Sequence, residues 1–468
     1  MKIAEVTDPM ADACMDWLAQ EFKGVELGDQ RLNKRCQAVV KAVGSNPGKS
    51  IPQACEDWGS TKAAYRFFEN KDVERKLLLE PHIKSTIERA NVRKEVLAIQ
   101  DTTVLNFIGR PGTEGLGPIG TTEGSQGLVV HNSLAVDLGT GEVLGLLDQE
   151  VWAREGRYPR EETSAERRQR PRESECWQRG IQAVVDKRLR CRVISVFDRE
   201  GDIYEVLAQL NREGQGYVIR GSWDRLLKGD QGHLFELVRQ SSPLGKIQVE
   251  VQVKRDQVKR TALLTVRQVT VALCPPKFLK RQGESLTVGV TEVYEEHAPK
   301  GCSPLRWILL TSERIQTLEE CARVVRIYTY RWKIEEFHMG LKTGCRVEER
   351  QFQNRQRLES FLGIANVISI MLLRLRDLAR METSKNHGLT DIQFKILHQR
   401  TPDLGSRPSV RAVLRAVARL GGFLARKGDG EPGWRTLWRG MYDLLLMEHG
   451  YLLSKNELLS PQPSLICG

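Results

Sequence analysis

Apolar positions recur along the chain in three regimes. In the first, residues 30–43 place Leu32, Cys36, Val39, Val40 and Val43 on one side and Arg31, Lys34, Arg35 and Lys41 on the other. That spacing predicts an amphipathic helix starting after the capping residue Asp29. Residues 60–70, carrying Lys62 and Arg66, predict a second one. The second regime is β-rich. Val96, Leu97, Ala98 and Ile99 run without a polar break into Gln100, Asp101, Thr102 and Thr103, which predicts a buried strand delivering a carboxylate at its end. Strands are predicted over 128–136 and 143–147, around a Gly/Asp/Thr turn at 137–142. The arginine-dense stretch 154–172, interrupted by Pro159 and Pro171, predicts an exposed loop. A helix over about 174–189, a strand over 192–197 ending at Asp198, and a helix with Ile203, Val206, Leu207 and Leu210 on its apolar side come next. Residues 246–253 then alternate Ile247, Val249, Val251 and Val253 with polar side chains, and 261–274 and 286–294 are similarly β-branched. Lys254, Arg255, Lys259 and Arg260 mark a basic connecting turn, and Arg306–Thr311 predicts a returning strand. In the third regime, residues 356–381, 409–420 and 434–453 are helical, separated by glycine-rich breaks.

This order has a fold consequence. Three antiparallel strands, a helix, a fourth strand ending in Asp and a later helix carrying Glu335 predict an α/β, ribonuclease H-like core. The 137 positions between Asp198 and Glu335 (335 − 198) exceed what that core needs, so an antiparallel β-subdomain is expected as an insertion. The expected division is a helical domain at 1–75, the first part of the core at 76–225, the insertion at 226–304, the second part of the core at 305–370, and a C-terminal helical domain at 371–468.

The densest chemistry falls in residues 328–342. As a straight helix of about 100° per residue, that stretch sets Tyr328, Arg331, Glu335 and Lys342 within roughly 60° of one another. Ile327, Ile334, Phe337 and Leu341 fall opposite, as a buried stripe. Alone, this is equally the pattern of a solvated face whose Arg331–Glu335 pair contributes about 0.2–0.5 kcal/mol. The strand-end carboxylates Asp101 and Asp198 shift the balance toward a divalent-metal site, because hard cations take oxygen ligands from several elements.

Composition narrows the partner. A net charge of +11 and a pI near 9.2 favour an anionic partner, nucleic acid before membrane. The charge is patterned, since residues 1–75 hold 11 Lys and Arg against 12 Asp and Glu. Ten cysteines are scattered with no C-x-x-C pair, which argues against zinc fingers and a disulfide framework and predicts reduced thiols in a cytoplasmic protein. No run of 18 apolar residues predicts a membrane span.

The spacing Tyr328, Arg331, Glu335, Lys342 has the Y-(2)-R-(3)-E-(6)-K signature and resembles insertion-sequence DNA transposases of the IS-four type, the Tn-five-like group in particular. Ala98–Thr103, Asp198–Ile203, Leu27–Asp29, Ala64–Phe67, Ala418–Phe423 and Trp434 extend the resemblance over nearly the whole chain. It implies a cut-and-paste transposase whose Asp-Asp-Glu site is Asp101, Asp198 and Glu335. Those carboxylates would hold two Mg²⁺ per active site, with Mn²⁺ as a substitute, at the roughly 3.5–4 Å separation of two-metal phosphodiester chemistry. A freed 3′-OH would form and then reopen a hairpin before joining target DNA. Tyr328, Arg331 and Lys342 would grip phosphates, and Trp307 would support a flipped base. Arg199 and Arg220 are further candidates for phosphate, and Arg31, Arg35, Lys62 and Arg66 for recognition of the element ends. Leu32 and Met339 depart from the family pattern, so the base sequence read is not carried over. The resemblance also implies terminal inverted repeats and target duplex as partners, a homodimer paired through the C-terminal helices, and a bacterial, nucleoid-associated location. Two other functions share these features: a catalytically inactive DNA-binding regulator of transposition, and a metal-dependent nuclease without strand transfer.

Overall fold

The structure is a computed structural model that describes residues 16–457 except 56, 111, 121–123, 157–171, 230, 252–259, 280–283, 301, 381–388, 390, 406–407 and 427–428. Its strands are β1 (Glu95–Asn106), β2 (Gly117–Pro118), β3 (Gln126–Asp137), β4 (Val143–Trp152), β5 (Arg192–Phe197), β6 (Gly216–Arg220), β7 (Pro243–Val251), β8 (Arg260–Leu273), β9 (Leu286–Tyr294) and β10 (Arg306–Thr311). All join one mixed sheet in the order β2-β3-β1-β5-β6-β10-β9-β8-β7, with β4 paired to β3. β1 runs antiparallel to β3 and parallel to β5, and β5 runs parallel to β6.

Pleating sends successive side chains to opposite faces, and the sheet is covered on both. Val196 and Val218 join the core under the helices Leu318–Thr329, Trp332–Met339 and Arg355–Arg380. Their neighbours Phe197, Tyr217 and Ile219 pack on the other face with Trp177, Ile181, Val206 and Leu207, from helices Cys176–Asp186 and Tyr204–Arg212. The stretch Arg355–Arg374 has the length and hydropathy of a membrane span, but 83% of it is buried inside the fold.

Several expectations change. β1 does not stop at residue 99. Thr102, Thr103 and Val104 suit a strand, and β1 stays paired from Val96↔Asp137 to Asn106↔Gly127, so Asp101 lies mid-strand. The strands between residues 226 and 304 continue the core sheet, because β9 pairs with β10 from Thr311↔Gly289 to Arg306↔Tyr294. Helix Leu234–Gln240 and strand β6 had no clear periodic signal in their short, interrupted sequences. Residues 328–342 are not one straight helix. Helix Leu318–Thr329 ends, Trp332–Met339 begins after a two-residue turn, and Gly340–Gly344 widens into a π-turn closed by Cys345 N–H donating to Gly340 O at 2.8 Å. The buried stripe is as expected: Ile327, Ile334, Phe337 and Leu341 are fully buried, each contributing about 1.5–3 kcal/mol. Most of the arginine-dense 154–172 segment, and Lys254, Arg255 and Lys259, lie outside the described residues. Arg260 is described, and pairs with Glu295.

The N-terminal helices are capped as read. Asp29 accepts from Arg31 N–H to start Gln30–Ser45, and Asp57 accepts from Ser60 N–H to start Trp58–Glu69. A buried arginine fastens this region to the end of the Glu335 helix: Arg350 donates to Pro47 O at 2.6 Å, Lys49 O at 2.5 Å and Cys345 O at 2.6 Å. Arg350→Met removes the donor for three carbonyls and is expected to lower unfolding stability by an amount on the order of 3 kcal/mol. An unchanged urea midpoint would show that water replaces the guanidinium without loss.

Candidate active site

Strand register brings two carboxylates together. The last parallel pair of β1 and β5 is Ile99↔Val196, and Asp101 and Asp198 each lie two residues further on. They therefore stand at the same end of the β1–β5 pairing, on neighbouring strands, and line one cavity. Past Phe197 the chain turns, and Asp198 Oδ1 accepts Glu200 N–H at 2.8 Å, fixing its carboxylate at the strand end. The burial of Ile334 and Phe337 anchors helix Trp332–Met339, which leaves Glu335 and His338 facing β1. Ligand atoms of Asp101, Glu335 and His338 lie within 4.8 Å of one another. Asp198 lines the same cavity of about 440 Å³, together with Glu200, Met339 and Lys342.

Electrostatics mark the cavity as short of positive charge. Burial, then the neighbouring Asp198, push the Asp101 carboxyl up to about 7, with Glu335 adding and Arg331 opposing. Arg331 bridges two of the acids, donating from Nη1 to Asp101 Oδ2 at 3.3 Å and from Nη2 to Glu335 Oε1 at 3.1 Å. The cavity wall thus carries the acids Asp101, Asp198, Glu200 and Glu335 against Lys342, with Arg331 paired to two of them. The set is made of hard oxygen donors with excess negative charge, which fits a divalent cation. His338 is buried, and burial followed by Lys342 pushes its pKa down to about 3, so its ring is neutral.

Two comparisons bear on the ends of the chain. Residues 14–73 match the family described as transposase DNA-binding. Residues 391–456 match the family described as transposase Tn5 dimerisation domain. These two matched segments lie on either side of the sheet-forming residues, toward the two ends of the chain. A solved structure, the cryo-EM structure of the piggyBac transposase synaptic complex with hairpin DNA, aligns over 98% of this chain and 81% of that chain at 11% identity. Its TM-score of 0.36 is too low to carry a functional argument.

Within the matched residues 14–73, Arg31, Arg35, Lys62 and Arg66 are all exposed, and none lines the acidic cavity. Arg31 is held by Asp29 at 3.1 Å, and Lys62 sits over the Trp58 ring at 5.0 Å. The other predicted residues gather near the acids. Trp307 meets the Tyr328 ring edge-on at 5.2 Å, and Arg220 is placed beside Tyr328 with its own pKa lowered by burial. Arg199 is exposed on the turn after Asp198. Lys342 lines the cavity and lies 3.9 Å from Glu348. Arg331 forms ion pairs with Asp101 and Glu335.

Sequence reading missed His338 and the polar row beneath it, although the spacing Glu335-x-x-His338 places both on one helical face. The raised pKa of Asp101 has a consequence of definite sign. Its proton stabilises the fold fully below pH about 4, and that contribution is lost as pH rises through about 7. In metal-free buffer, Asp101→Asn is therefore expected to exceed the parent in stability at pH 8 by on the order of 3 kcal/mol, and to match it at pH 4. Equal stability differences at both pH values in denaturant titrations would contradict the desolvated cluster.

Proposed function

We propose that the chain is a cut-and-paste DNA transposase of an insertion sequence, with Asp101, Asp198 and Glu335 as its catalytic carboxylates. The observation that carries this is their convergence: two aspartates at the same end of one parallel strand pairing, and Glu335 brought over them by a helix. The strand order β4-β3-β1-β5-β6, antiparallel for the first three and parallel for the rest, supports a ribonuclease H-like core as its frame. The matches at 14–73 and 391–456 support duplex DNA and a second subunit as partners.

On this proposal the three carboxylates would hold two Mg²⁺ ions, or Mn²⁺ in their place. Such ions, when bound, supply charge to offset the oxygen leaving a phosphodiester. The protein groups do the rest. Asp101, its carboxyl pushed up to about 7 by burial and by Asp198, would have to be deprotonated to serve as a ligand. With a cation in the cage, Arg331 has less need to balance Asp101 and Glu335, and can turn toward a phosphate beside Tyr328 and Lys342. The reaction is a hydrolytic nick, attack of the freed 3′-OH on the opposite strand to close a hairpin, reopening by water, and joining to target DNA. Trp307, propped edge-on by Tyr328, offers a ring on which a base displaced by the hairpin can stack. Exposed Arg31, Arg35, Lys62 and Arg66 serve recognition of the terminal inverted repeats, with Arg199 and Arg220 as phosphate contacts nearer the acids. The C-terminal domain pairs two subunits on two ends, in the bacterial cytoplasm at the nucleoid.

Single substitutions Asp101→Ala, Asp198→Ala and Glu335→Ala are expected to leave binding of an element-end duplex within about threefold, and to lower Mg²⁺-dependent cleavage by at least a thousandfold. Full cleavage by one variant would remove that residue from the site. Absence of cleavage by the parent would favour a DNA-binding regulator, and cleavage without joined target products a simple nuclease.

A further inference from the structure

We propose that His338 is not a metal ligand of the carboxylate cage, because a hydrogen-bond relay from Arg75 through Gln149 and Asn132 fixes its proton on Nδ1 and occupies Nε2. This rests on the reading of Asp101, Asp198 and Glu335 as a cation site. His338 is placed to be mistaken for a fourth ligand, since a ring nitrogen lies within 4.8 Å of ligand oxygens of Asp101 and Glu335. What decides its role is the direction of the hydrogen bonds behind it.

The relay follows one transverse row of the sheet. Asp101 on β1 lies opposite Asn132 on β3, and Asn132 lies opposite Gln149 on β4. Asn132 and Gln149 are buried, as is Arg75 at the start of helix Arg75–Asn91. A guanidinium has only donors. Arg75 Nη1 lies 3.2 Å from the Gln149 side-chain oxygen and 2.9 Å from the Gln149 backbone oxygen, so the Gln149 amide must present Oε1 to Arg75. Its Nε2 then donates to Asn132 Oδ1 at 2.7 Å. Asn366 accepts the other Gln149 Nε2 proton at 2.9 Å and donates back to Oε1 at 2.8 Å, which agrees with the same orientation. With Oδ1 of Asn132 taken as an acceptor, the group facing His338 is Nδ2, an obligate donor, 3.0 Å from His338 Nε2. Nε2 must accept, so a neutral ring carries its proton on Nδ1.

Neither nitrogen keeps a lone pair for a cation. The protein donors to the cage are then carboxylate oxygens alone, a set suited to Mg²⁺ or Mn²⁺ over the nitrogen- and sulfur-seeking Zn²⁺. Asn132 and Gln149 are positioning residues: they act through His338 and touch none of the carboxylates in the relay. The same β1–β3 register that sets Asp101 sets this orientation.

The test is long-range ¹H–¹⁵N correlation on the full-length, histidine-labelled protein without metal or DNA, with the His338 signals identified by their loss in His338→Asn. The parent is expected to show a protonated Nδ1 and a lone-pair Nε2; a protonated Nε2 overturns the proposal. Gln149→Glu puts two acceptors at position 149 beside Arg75, so Asn132 must turn its amide and present oxygen to Nε2. Asn132→Asp presents oxygen directly. Both are expected to invert the tautomer, and an unchanged Nδ1–H in a folded variant overturns the relay. Should neither variant fold, the parent spectrum alone still decides. Because no cleavage is measured, failure of the transposase reading and failure of the relay give different results.

Discussion

The parallel pairing of β1 with β5 is the constraint on which the acidic site depends. Asp101 and Asp198 are 97 positions apart (198 − 101), and they stand at the same end of one strand pairing because Ile99 pairs with Val196. A slip of one residue would turn Asp101 to the opposite face of the sheet. The register is secured by burial on both sides: Val96, Leu97, Ala98 and Ile99 have no exposed surface, and β3 holds the far edge of β1 over eleven consecutive pairs. Hydrophobic packing therefore sets the geometry, and the carboxylates are carried to positions they would not choose electrostatically.

That repulsion is kept local. Arg331 spans Asp101 and Glu335, and the neutral His338 adds no charge of its own to the cluster. Structure that is irregular by helical standards collects just beyond it. The π-turn at Gly340–Gly344, the left-handed Arg346 at φ 50° and the buried Arg350 that clasps residues 47 and 49 all follow Glu335 within fifteen positions. Such a turn inside a helix is frequent at functional sites, where it re-aims a side chain. Here it swings Lys342 into the same cavity as the acids while leaving Leu341 in the core.

Much of this was legible in the chain. Apolar patterning located β3, β5 and the N-terminal helices to within about two residues, whereas β4 runs on to Trp152, five residues past the expected end, through the polar Asp148, Gln149 and Glu150. Asp101 and Asp198 were legible as candidates from their places after apolar runs and Glu335 from the polar face of its helix, and the cavity they share required the register, which no local pattern contains. The break at Tyr330–Arg331 and the π-turn were hidden, since Gly340 and Gly344 do not by themselves specify a widened turn. The row Asp101, Asn132, Gln149 was hidden for a different reason: its members come from three strands, and each alone reads as an ordinary polar residue in a β-segment. The continuous sheet through β9 and β10 likewise depends on edge pairing between segments separated by the residues 295–305 connection.

The account stands on three carboxylates sharing one cation site, and binding of Mn²⁺ followed by electron paramagnetic resonance tests that directly. Titrated into the parent with an element-end duplex, Mn²⁺ is expected to bind at pH 8 and to be released as pH falls below about 7, when a proton competes at Asp101. Asp101→Asn, Asp198→Asn and Glu335→Gln should each weaken it. Binding that is indifferent to all three substitutions and to pH would contradict the shared site.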